Sequence, residues 1–96
     1  MLKISRRQTG TDTVEFTLSG RLQFEHVNEL RGLIRKEEHE VVLDLREVNL
    51  VDREAVEFLV AYEREGVSLR NCSPYIREWV TREAIRKNFS PPEAED

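Results

Sequence analysis

A chain of 96 residues has room for one domain and one core, and at this size roughly 60–70% of the extended-chain surface can be buried without help from metals or disulfides. Lysine and arginine (15) are outnumbered by aspartate and glutamate (19), giving a net charge of −4. That balance weighs against nucleic acid, because no excess of cations exists to neutralise phosphates. Cys72 is the single cysteine, so no internal disulfide forms and a reducing cytoplasm is the natural compartment. The start, Met1-Leu2-Lys3-Ile4-Ser5-Arg6-Arg7, lacks the apolar run of a signal peptide, and no stretch approaches the roughly 20 apolar residues that cross a bilayer.

In chain order, Leu2 and Ile4 alternate with polar residues, and Thr9-Gly10-Thr11-Asp12 supplies turn chemistry. Val14, Phe16 and Leu18 alternate with Glu15, Thr17 and Ser19, which predicts a half-buried strand and an antiparallel hairpin ended by Gly20. From Phe24 to Glu37, Phe24, Val27, Leu30, Leu33 and Ile34 follow helical spacing. Val41-Val42-Leu43-Asp44-Leu45 is nearly continuous and β-branched, as in a central strand with parallel pairing. Val48, Leu50 and Val51 then pin a loop to the core.

Asp52 is a good N-cap for a second helix, whose apolar face is Ala55, Val56, Leu59, Val60 and Tyr62 and whose stop signal is Gly66. Val67 and Leu69 make a short strand. Ser73-Pro74 starts a third helix with Ile76, Trp79 and Val80 as its buried stripe and Glu78–Arg82 and Glu83–Lys87 as favourable i,i+4 pairs. The apolar phase slips after Val80: Ile85 and Phe89 leave that stripe. Tyr75, Trp79 and Phe24 read as core, and Phe89 as an exposed aromatic available to a protein contact. Ser90-Pro91-Pro92 ends the helix before an acidic, disordered tail, so residues 1–89 form the domain and 90–96 the tail.

The resulting β-β-α-β-α-β-α order predicts an α/β fold, a mixed four-stranded sheet with helices largely on one face and right-handed crossovers. With Leu18-Ser19-Gly20-Arg21-Leu22, Val42-Leu43-Asp44-Leu45, Val51-Asp52 and Leu69-Arg70-Asn71-Cys72-Ser73-Pro74, that order resembles the STAS domain family, the anti-sigma-factor antagonist type. The likeness runs from about Leu2 to Val80. It implies a bacterial, non-enzymatic module that docks on a kinase-like anti-sigma regulator through the start of the second helix. The family's wording there is Asp-Ser-Ser-Gly, whose second Ser is phosphorylated; this chain reads Asp52-Arg53-Glu54-Ala55.

The phospho-acceptor position falls on Glu54, so a phosphoserine switch is absent there. Glu54 is either a built-in negative charge or an ordinary first-turn acid favoured by the helix dipole by about 0.3–1 kcal/mol. The expected contact surface is Asp52, Arg53, Glu54 and Glu57, and charge reversal at Arg53 is expected to weaken docking. Two other roles suit the same fold: a small cytoplasmic subunit of a lipid or anion transporter complex, contacting its ATPase, or a homo-oligomer built on the hairpin face or an edge strand.

Asp44 and Asp52 could converge at the carboxyl edge of the sheet, where ligands sit in α/β folds. Alternatively Asp44 bonds loop amides and Asp52 caps its helix. His26 and His39 lie about 20 Å apart along the first helix and cannot share a metal. With no Gly-rich phosphate loop and no catalytic Ser–His pairing, no cofactor, metal or direct membrane insertion is expected.

Overall fold

The computed structural model describes residues 2–89, with side chains as far as Arg86. The expected tail at 90–96 and the side chains of Phe89 and Lys87 lie outside the described residues. The chain runs β1 (Leu2–Gln8), β2 (Thr13–Leu22), α1 (Phe24–Arg35), β3 (Glu40–Val51), α2 (Arg53–Arg64), β4 (Ser68–Arg70) and α3 (Pro74–Phe89). One sheet has the strand order β1-β2-β3-β4. β1 and β2 form the antiparallel hairpin, from Leu2 opposite Gly20 to Gln8 opposite Val14. β3 joins β2 and β4 in parallel, with Phe16 beside Leu43 and Leu43 beside Leu69.

Alternation decides which side of the sheet meets the helices. Val14, Phe16, Leu18, Val41, Leu43 and Leu45 share one core with Val27, Leu30 and Ile34 of α1, with Val56 and Leu59 of α2, and with Ile76 and Val80 of α3. Val42 and Asp44 alternate to the other face, so the continuous apolar run of β3 does not require two equal cores. On that face Glu15 is buried and its carboxylate accepts from the Arg7 guanidinium across the hairpin at 3.0 Å. Arg6 clamps Glu37 with two bonds of 2.7 and 3.2 Å, tying β1 to the segment after α1, and this pairing holds the Glu37 carboxyl below its usual value.

Two strands outrun their sequence signals. Gly20 does not end β2: the strand continues to Leu22, with Gly20 at φ 108° and register shifts at Thr17/Ser19 and Gly20/Arg21. Only glycine adopts that φ without strain, so Gly20 carries an irregularity inside the strand instead of a stop. Likewise β3 does not give way to a loop after Leu45 but pairs with β2 as far as Val51 beside Leu22. Buried Val48 and Val51 are three apart, and the register shifts erase the period of two by which a strand is recognised.

Candidate functional site at the start of α2

The long β3 separates the two acids considered as a pair. Asp44–Val51 runs beside Thr17–Leu22, so at about 3.3 Å per residue of β2 the two acids stand on the order of 20 Å apart and do not converge. Asp44 lies beside Arg70 where β4 ends. Its Oδ1 accepts from the Arg46 backbone N–H and from the Asn71 side-chain amide, both at 3.0 Å. Burial pushes the Asp44 carboxyl up, but those two bonds and the nearby Arg46 and Arg70 guanidiniums hold it below the usual aspartate value. Asn71 has φ 60°, a left-handed conformation that asparagine tolerates, and its bond to Asp44 fixes the turn into α3. Ser73 caps that helix, its Oγ accepting from Ile76 N–H at 3.3 Å. Cys72 beside it is half-buried, and burial pushes its thiol up.

Asp52 has a different job. It leaves β3 in an extended conformation (φ −110°, ψ 179°), and its Oδ1 accepts from Ala55 N–H at 2.9 Å, as an N-cap should. Its Oδ2 accepts from Phe24 N–H, also at 2.9 Å. Phe24 is the first residue of α1, so one carboxylate serves the positive ends of two helices. At α1, His26 Nδ1 accepts from Gln23 N–H at 3.2 Å, whereas His39 Nδ1 stands 3.7 Å from Glu37 Oε1. Among the described residues no group of three acids, histidines or cysteines is placed to hold a metal.

Past the cap, helical spacing turns Ala55, Val56, Leu59 and Val60 inward and leaves Arg53 and Glu54 exposed. Glu54 and half-exposed Glu57 border a shallow groove between α1 and α2, together with Val27, Arg31, Phe58 and Ala61. Glu54, Glu57 and Arg31 thus put both signs of charge along one groove. Exposed Phe24 (59%) begins α1 beside Asp52, and exposed Leu50 (39%) precedes Val51 at the end of β3. Phe24 has the spacing of the buried stripe, but periodicity specifies a face and not a depth, and in the first turn the ring is left exposed. Tyr75, at 56% exposure, also departs from the core, because it lies on the side of α3 away from buried Ile76 and Val80.

Arg53 is less free than its exposure suggests. Its Nη1 lies 3.7 Å from Glu57 Oε2 and 3.6 Å from Glu83 Oε2. Glu83, on α3, is 5% exposed, and its other oxygen is 3.3 Å from Arg86 Nη2. A buried carboxylate needs such partners, so Arg53 is also a strut between α2 and α3. The expected Glu83–Lys87 pair involves a side chain outside the described residues, but Glu83 itself is buried and paired with Arg53 and Arg86. Its position seven residues after Ile76 and three after Val80 puts it on the buried stripe, a signal that could have identified it.

No family model matches the sequence, and no curated protein matches it. Solved structures do. The anti-sigma factor antagonist SpoIIAA in its unphosphorylated form superposes with a TM-score of 0.66 at 17% identity, covering 92% of this chain and 99% of SpoIIAA. The STAS domain of an anti-sigma-factor antagonist from Rhodobacter sphaeroides gives 0.54 at 18% identity over 76% of this chain and 92% of that one. An uncharacterised protein with a SpoIIAA-like fold from Shewanella loihica gives 0.54 at 17% identity, over 94% and 80%. These likenesses carry no sequence identity high enough to transfer a role, but they agree on architecture: the chain has the SpoIIAA-like fold of STAS domains.

Proposed function

We propose that this chain is a non-enzymatic protein-interaction module of the anti-sigma-factor antagonist type, docking through Asp52, Arg53, Glu54 and Glu57 at the start of α2. The observation that carries the reading is the arrangement around Asp52. One carboxylate holds two helix starts together, so exposed Glu54, Phe24 and Leu50 stand near a rigid point that a partner can meet without ordering it first. A non-catalytic role is supported by how the acids are used: Asp44 Oδ1 and both oxygens of Asp52 accept from amides of their own chain.

Glu54 occupies the position where the resembling family carries a phosphorylated serine. It provides one fixed negative charge, against nearly two for a phosphate, and lacks the three acceptor oxygens. Docking is then set by charge and shape complementarity and is not switched at this site. Calorimetric titration with a kinase-like anti-sigma regulator from the same organism tests this with wild type, Glu54→Arg and Glu54→Ser. Reversal at Glu54 is expected to weaken binding at least tenfold, about 1.4 kcal/mol, while Glu54→Ser keeps the fold. Unchanged affinity on reversal would remove Glu54 from the docking surface.

A further inference from the structure

α3 carries apolar side chains on two faces, and the core uses one. Ile76 (1% exposed) and Val80 (0%) point inward. At 3.6 residues per turn, Tyr75, Glu78, Arg82 and Ile85 fall within an arc of about 80° on the opposite side. Tyr75 and Ile85 are 56% and 51% exposed, and the side chains of Glu78 and Arg82 are both 70% exposed. Half-buried Trp79 flanks Tyr75, with ring centroids 5.9 Å apart, and a shallow groove runs between Tyr75, Glu78, Trp79 and Arg82. The phase slip after Val80 in the sequence is this second face. Its spacing of i, i+3, i+7 and i+10 is the seam by which two helices pack along their length.

The seam is self-complementary in one direction. When two copies of α3 lie antiparallel across a two-fold axis level with Val80, Tyr75 meets Ile85 and Glu78 meets Arg82, each twice. A parallel pair would instead set Glu78 against Glu78 and Arg82 against Arg82. We propose that the outer face of α3 is an isologous dimer interface whose occupant is a second, antiparallel copy of this chain. Within one chain Glu78 and Arg82 already pair at 2.8 Å, so they need only share their bonds across the axis. This inference is independent of the docking surface at the start of α2.

Sedimentation velocity from micromolar to millimolar chain tests it with wild type, Glu78→Arg, Arg82→Glu and an equimolar mixture of the two variants. Wild type should pass from monomer to dimer mass as concentration rises. Each variant alone should stay monomeric, since the seam then opposes like charges. The mixture should regain the dimer, because a seam carrying only guanidinium groups would meet a seam carrying only carboxylates.

Neither variant keeps the Glu78–Arg82 pair within its own chain, so only pairing between chains can produce that recovery. Circular dichroism melts confirm that each variant is folded. A wild type that stays monomeric throughout, single variants that dimerise as wild type does, or a mixture that stays monomeric would each overturn the proposal.

Discussion

Replacing Asp52 by alanine removes the acceptor for two backbone amides at once, those of Ala55 and Phe24. Loss of an N-cap costs about 1 kcal/mol, within a range of about 0.5–2. The bond from Phe24 is charge-assisted, for which about 1.5–3 kcal/mol is typical, and its partial exposure favours the lower end. Together Asp52→Ala should cost about 2–3 kcal/mol, a large part of the roughly 5–15 kcal/mol that holds a domain folded. Asp52→Asn keeps one acceptor oxygen and should lose about half as much. Guanidinium unfolding followed by circular dichroism reads both, as a lower midpoint with an unchanged m-value. An alanine variant within about 0.5 kcal/mol of wild type would refute the claim that Asp52 holds the two helix starts together.

Three further outcomes follow from the same contacts. Arg53→Glu sets a second carboxylate beside buried Glu83 and should destabilise by about 1–2 kcal/mol, reduced from the figure for fully buried pairs by the exposure of Arg53; unchanged stability in denaturant would show that Arg86 alone suffices for Glu83. At Asn71, glycine should cost less than alanine in the same assay, because alanine loses the bond to Asp44 and is also strained at φ 60°; equal losses would contradict that assignment. Asp44 has a folded-state value below its unfolded one, so its stabilisation is present above the ordinary aspartate value of about 3.9 and disappears as pH falls through the lower folded value. The stability gap between wild type and Asp44→Asn should therefore close on acidification, and a gap independent of pH would show that the carboxylate charge contributes nothing.

Much of the fold was legible because its signals are local. The hairpin alternation, the β-branched run at Val41–Leu45, the Asp52 cap and the Ser73 cap each depend on residues close in sequence, and the structure has all four. What escaped depends on distant neighbours. The reach of β3 to Val51 rests on pairing with Leu22, and irregular pairing leaves no period of two to read. Phe24 carries the right spacing for the core but stands exposed in the first turn of α1, and Tyr75 lies on the side of α3 away from Ile76 and Val80. The local i,i+4 spacing of Glu83 does not show its burial, which depends on Arg53, thirty positions away. The same contact changes how the candidate site should be probed. Charge reversal at Arg53 disturbs the α2–α3 packing as well as any docking, so Glu54 is the cleaner position.

The most direct test of docking at the start of α2 is to titrate the isotope-labelled protein with a kinase-like anti-sigma regulator and follow its backbone amide resonances. The account predicts that the largest shifts cluster at residues 52–57 and at Phe24, with Glu54→Arg suppressing them at equal regulator concentration. Saturable binding that leaves those amides unmoved and shifts β1 or the outer face of α3 instead would contradict it.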